Sequence, residues 1–287
     1  MGSAPARPER VFPAGPENRC LAWGLAALLI AAAWRWGGLR AADGPFFTAA
    51  AALLLLEACG GFGRRGIGGQ PGWWRRDFFF WSGLAFIAYL GCQWWNAGRE
   101  LVYDPSAHRW AYSPPRHPSF PWAISKPEAA QMLHWFFPAW AIGLSLRSPR
   151  LSRQGLNGFG RGLLWGSGAL AAVGLFEVLA NVRGMFWPMP PKCDSFASFG
   201  YGNHAAAYFL LLGALAAGLL FRESFRRDRP AHKRAVAGFA AALCLCLTGT
   251  NLSLSRTGVL LSWLLAVYAA AYGWMRGWRI FRPAARL

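Results

Sequence analysis

Eight apolar stretches, spaced along 287 residues, limit what this chain can fold into more than any other feature. They cover 21–34, 46–61, 78–95, 129–146, 162–182, 202–221, 235–250 and 259–274. A helix needs about 20 apolar residues to cross a hydrocarbon core of about 30 Å. Hydrophobic residues make up 55% of the chain and charged residues 15%, which leaves too little polar surface for a soluble domain of this length. The expected fold is therefore all-α: a polytopic integral membrane bundle of about eight transmembrane helices over residues 21–274, with an N-terminal tail at 1–20 and a basic tail at 275–287. Arg7, Arg10 and Arg19 resemble the n-region of a signal sequence. No small-x-small cleavage site followed by soluble chain is evident, so the first run is expected to be an uncleaved anchor.

The net charge of +18 invites a nucleic-acid reading, but Lys and Arg sit in short clusters between apolar runs instead of along one soluble face. Such clusters set topology and meet anionic lipid. When the connecting segments are assigned to alternate sides of eight spans, 21 of the 30 Lys and Arg residues fall on the side of the two termini. That bias puts both termini in the cytoplasm, and the expected location is the bacterial inner membrane. The six cysteines lie mostly in or beside apolar runs, and Cys244-Leu-Cys246 has no companion pair. No metal site or cofactor is expected. Neither a 20–50-residue repeat nor the matched interrupted spans of an inverted-repeat transporter is present.

Two segments on the outer side carry polar chemistry. The longer, 96–128, reads "NAGRELVYDPSAHRWAYSPPRHPSFPWAISKPE". It holds Arg99, Arg109 and Arg116, and aromatic residues (Tyr103, Trp110, Tyr112, Trp122) suited either to stacking on sugars or to interfacial anchoring. Its prolines preclude a continuous helix. The other segment ends in Asn203-His204, at the lip of the sixth apolar run. Asn is also a favoured N-cap residue, so a capping role stands beside a binding one. One helix further on, "LTGTNLSLSRTGVLLSW" crowds Thr248, Thr250, Asn251, Ser253, Ser255, Arg256 and Thr257 into one turn. Either Arg256 snorkels from an interfacial turn, or the hydroxyls line an outward cavity with Arg256, whose planar fork matches phosphate oxygens.

"SFGYGNHAAAYFLLL", a basic inner loop, a further span and then "LSLSRTGVLLSW" resemble the bacterial O-antigen ligase and O-antigen polymerase family over residues 196–263. Members show a Gly-Asn-x-Asn-His-like entry to a helix and a Ser-Arg-Gly or Ser-Arg-Thr-Gly turn one helix later. Asn203-His204 and Ser255-Arg256-Thr257-Gly258 occupy those places here, with the first family asparagine replaced. The resemblance implies glycan transfer from undecaprenyl pyrophosphate, on the periplasmic side, to a hydroxyl on an acceptor glycan, lipid or protein. It implies no metal or cofactor. Arg256 and His204 would then be the catalytic residues. Asn203, Ser253 and Ser255 would bind substrate, with Arg99, Arg109 and Arg116 as further contacts taken from this sequence alone.

The family usually carries a large periplasmic loop with a His-bearing motif after the Ser-Arg turn, and this sequence stops at Leu287. A truncated reading frame, a fragment and a divergent, non-catalytic scaffold or lipid-binding partner are all open at this stage. So is a small-molecule transporter using Glu57 and Glu177.

Overall fold

The computed structural model describes residues 16–35, 41–59, 73–97, 101–182, 196–224 and 231–281. Each of the eight apolar runs forms the body of one helix: α1 (Pro16–Trp34), α2 (Gly44–Cys59), α3 (Phe78–Asn96), α4 (Lys126–Leu146), α5 (Arg153–Leu179), α6 (Gly202–Ser224), α7 (Ala231–Leu252) and α8 (Arg256–Phe281). Helix α5 begins well before its apolar run because Ser152 caps it, its hydroxyl accepting from the Gly155 amide at 3.0 Å. Among the described residues, four helices are long and apolar enough to cross a membrane: α5, α6, and the parts of α7 and α8 covering Lys233–Leu252 and Arg256–Met275. Arg19–Trp34 and Gly44–Cys59 are apolar but shorter. The architecture is thus helical and compatible with a multi-pass membrane protein. Most of the two tails, and the connections at 60–72, 183–195 and 225–230, lie outside the described residues.

The chain divides into two compact units, Met1–Leu28 with Ala41–Phe159, and Leu29–Arg40 with Gly160–Leu287. In the first, α3 and α4 run antiparallel. The Trp140 indole sits directly on Gly83, where any side chain would overlap it, and donates to the Phe79 carbonyl at 3.2 Å. Farther along, the Phe86 and Phe136 rings meet at 4.5 Å. Helices α2 and α4 run parallel. Thr48 Oγ1 and His134 Nδ1 share a 2.9 Å hydrogen bond near their starts, and Ser148 donates to the Ala58 carbonyl at 3.0 Å near their ends.

The loop after α3 contains a short antiparallel hairpin, β1 (Leu101–Asp104) and β2 (Arg109–Tyr112), with Leu101 opposite Tyr112 and Asp104 opposite Arg109. Asp104 Oδ1 closes its turn by accepting from the Ser106 hydroxyl at 2.6 Å, the Ser106 amide at 2.9 Å and the Ala107 amide at 3.3 Å. These bonds hold the Asp104 carboxyl below its ordinary value of 3.8. The rest of the loop is gathered by Asn96, which is fully buried. Its amide donates to the carbonyls of His117, Phe120 and Pro121 at 2.8, 3.2 and 3.3 Å, and its oxygen accepts from the His117 amide at 2.9 Å.

In the second unit, α6 and α8 run parallel with α7 returning between them. The partner positions keep nearly one offset, 51 or 52 residues: 206 with 258, 213 with 265, and 221 with 272. A Cβ on Gly258 would stand 2.5 Å from Ala206 Cβ, one on Gly213 would stand 3.5 Å from Leu265, and the Phe221 and Tyr272 rings meet at 4.7 Å. Contacts seven residues apart on α8, and seven then eight apart on α6, describe a coiled-coil-like seam. The core around it joins Leu164, Leu170, Phe196, Phe199, Phe209, Leu212, Phe239 and Cys246. Ser167 of α5 and Tyr208 of α6 share a 2.6 Å hydroxyl hydrogen bond inside it.

Candidate functional site

The segment leading into α6 folds down before the helix starts. Phe196 and Phe199 bridge to each other, Ala197 takes a left-handed conformation (φ 52°), and the Ser198 hydroxyl donates to the Ala33 carbonyl. Both phenylalanines are buried against Phe209, at ring distances of 5.6 and 6.0 Å. The helix begins at Gly202, and the amides of His204 and Ala205 donate to the Tyr201 carbonyl at 3.1 and 3.3 Å. Asn203 is therefore inside the first turn and is not its cap. Asn203 and His204 are both exposed. The Asn203 amide donates to the Tyr201 hydroxyl at 3.0 Å, and the His204 ring meets the Tyr201 ring edge-on at 5.3 Å.

The turn between α7 and α8 uses its polar side chains locally. Ser255 is the N-cap of α8: its hydroxyl accepts from the Gly258 amide at 3.2 Å and its carbonyl from the Val259 amide at 2.8 Å. The Ser253 hydroxyl donates to the Thr250 carbonyl at 2.7 Å, and the Thr250 hydroxyl to the Cys246 carbonyl at 2.9 Å. Leu254 takes the left-handed conformation (φ 57°) that ends α7. Asn251 reaches across to the Ser262 hydroxyl at 3.1 Å, pinning α7 to α8. Ser253 and Ser255 are buried in the turn they shape, while Arg256 and Thr257 are exposed.

The contact of Gly258 with Ala206 brings the two motifs to one end of the seam. His204 lies two residues before Ala206, and Arg256 two residues before Gly258, so both stand about 3 Å along their helix axes from the contact. Two helix N-termini thus meet there, each carrying roughly half a positive charge. Arg256 adds a full one and has no ion-pair or hydrogen-bond partner among the described residues. A cation in the first turn opposes the helix dipole, so its own helix gives this arginine no electrostatic reason to be there. Anions, phosphates above all, are what such an end attracts.

Arg109 and Arg116 belong to the first unit. Arg109 lies on the exposed strand β2, and the Arg116 guanidinium stands over the Trp95 ring at 5.9 Å. Arg99 lies outside the described residues. Tyr103 and Trp110 pack edge-on at 5.4 Å while both remain exposed, and Trp122 is exposed as well. Among the described residues no group of His, Cys, Asp and Glu side chains could hold a metal. Of the two proposed coupling carboxylates, Glu57 is paired with Arg150 at 3.8 Å and Glu177 is buried in the other unit. Sequence reasoning missed Ala206 and Gly258 as the pair that joins the motifs; the small residue two places after His204 and after Arg256 was the available signal. No family model matches this chain, and searches of curated proteins and solved structures return no match.

Proposed function

We propose that this is an eight-span protein of the bacterial inner membrane, with both termini in the cytoplasm, that binds undecaprenyl-pyrophosphate-linked glycan on the periplasmic side and passes the glycan to a hydroxyl acceptor, as O-antigen ligases and polymerases do. One observation carries the reading: the Gly258–Ala206 contact, which sets Arg256 and the Asn203-His204 pair at the same end of two parallel helices. The leaving group in such a transfer is a lipid pyrophosphate, and cations over its oxygens stabilise the departing charge. Arg256 supplies the bidentate donor. Asn203 and His204 supply hydrogen bonds, and Ser253 and Ser255 hold the turn that presents the arginine. Within each unit successive helices reverse direction, which supports alternating passage through a membrane.

The test of the site is binding of undecaprenyl pyrophosphate to the purified protein in nanodiscs, with undecaprenol as the control. The pyrophosphate is expected to bind and the alcohol to bind weakly; equal affinity would remove the anion site. Binding without transfer of a glycan to any acceptor would favour a non-catalytic lipid-binding role. The orientation has its own check. Single cysteines at Ser106 and Ser119, on the exposed loop after α3, are expected to react with an impermeant thiol reagent applied from the periplasmic side. Labelling only after the cytoplasmic face is opened would reverse the topology.

A further inference from the structure

At the start of α3, in the first unit, a shallow pocket of about 500 Å³ is lined by Trp73, Arg76, Asp77, Phe78, Phe79 and Arg147. Its floor is fixed by Asp77, which caps α3 through the Phe79 amide at 2.9 Å and takes two hydrogen bonds from Arg147 at 2.8 and 3.2 Å. Partial desolvation raises the Asp77 pKa, but the Arg147 and Phe79 hydrogen bonds outweigh it and the carboxyl sits below its usual value of 3.8. Asp77 and Arg147 therefore satisfy each other, and the carboxylate is not left facing an incoming anion. Arg76 is exposed and has no partner among the described residues. The neighbouring Arg75 guanidinium lies 5.2 Å from the Trp74 ring centre.

Two features of this pocket have no use inside the protein. Trp73 Nε1 is buried, yet it donates to no protein group, the single such side-chain atom among the described residues. An indole N–H can only donate, so what it lacks is an acceptor. Phe78, which also lines the pocket, is 83% exposed, and Trp81, three residues further along α3, is 52% exposed. An acceptor that carries negative charge, fits against arginine and continues into an apolar chain satisfies all of these groups together.

We propose that this pocket binds the headgroup phosphate of an anionic phospholipid, with Arg76 on the phosphate oxygens, the Trp73 indole turning its now buried N–H toward them, and Phe78 against the acyl chain. Free phosphate would leave Phe78 and Trp81 in water, and a zwitterionic headgroup brings its own cation to a cluster of three arginines and one carboxylate. The charge bias of the sequence puts this end of α3 on the cytoplasmic side, where anionic lipid draws basic juxtamembrane clusters.

Purified full-length protein in detergent is titrated with phosphatidylglycerol, phosphatidylcholine or inorganic phosphate, and bound lipid is read by native mass spectrometry. Phosphatidylglycerol is expected to bind in preference to the other two. Arg76→Gln is expected to weaken it about tenfold, the loss of one charge-assisted hydrogen bond. Trp73→Phe keeps the ring, removes the donor and weakens binding several-fold, with an unchanged lipid-free melting temperature in both variants. Wild-type affinity in both variants, equal binding of phosphatidylcholine, or inorganic phosphate matching the lipid would each overturn the proposal.

Discussion

Arg256→Ala is expected to lower the affinity for undecaprenyl pyrophosphate by roughly 10- to 100-fold, the loss of a charged, forked donor from the proposed phosphate site. Arg256→Lys keeps the charge and loses the fork, so its loss is smaller. His204→Ala removes at most a neutral or single hydrogen bond and costs less than Arg256→Ala. The fold is expected to be indifferent, because Arg256 is exposed and has no partner among the described residues. Removing a cation from the first turn of α8 relieves an unfavourable dipole interaction of about 0.3–1 kcal/mol, so Arg256→Ala melts at or slightly above the wild-type temperature. Binding by nanodisc titration and melting by tryptophan fluorescence read the two effects separately. Unchanged affinity in folded Arg256→Ala protein removes Arg256 from the site.

Gly258→Val is the complementary experiment, in which no charge is touched. The first carbon added at 258 stands 2.5 Å from Ala206 Cβ and 3.3 Å from Ser255 Cβ, both on backbone that cannot swing away. Overpacking of this kind costs about 1–3 kcal/mol. The variant is expected to melt several degrees lower and to bind undecaprenyl pyrophosphate more weakly, since α6 and α8 must part at the end that carries both motifs. Thermal unfolding in detergent checks the first effect and the nanodisc titration the second. A Gly258→Val protein with wild-type melting and wild-type binding would mean that the two helix ends do not touch in solution.

The helices were legible because their signal is local and long: an apolar run of 14 to 21 residues has few alternatives, and each of the eight runs became one helix. Their ends were less so. The run at 162–182 hid the polar first turns of α5, which Ser152 caps without any help from hydropathy. The hairpin at 101–112 escaped because four-residue strands carry almost no periodicity, although Asp104-Pro105-Ser106 was a readable turn. Both motifs at the candidate site were found, but the duties of their serines were not. A serine or threonine near a helix end can face a cavity or bond to a backbone carbonyl three or four residues back, and its identity does not say which. Ser253 and Thr250 took the second course, and Ser255 became a cap. The contact of Ala206 with Gly258 is tertiary and depends on the length of α7, a quantity that no single motif contains.

That dependence makes the chain between 206 and 258 a ruler. Helix α7 and its three-residue turn into α8 return the polypeptide to the level at which α6 began, and the offset stays near 52 along the whole seam. One residue inserted or deleted within α7 would swing the turn and the start of α8 by about 100° around the α7 axis. A bulkier neighbour would then face Ala206 in place of Gly258, and Arg256 would be carried off the shared end. Exposed apolar positions tolerate exchange as long as they stay apolar, whereas this interval does not tolerate a change of one. The meeting of the two motifs is thus set by a distance along the sequence as much as by the residues that fill it.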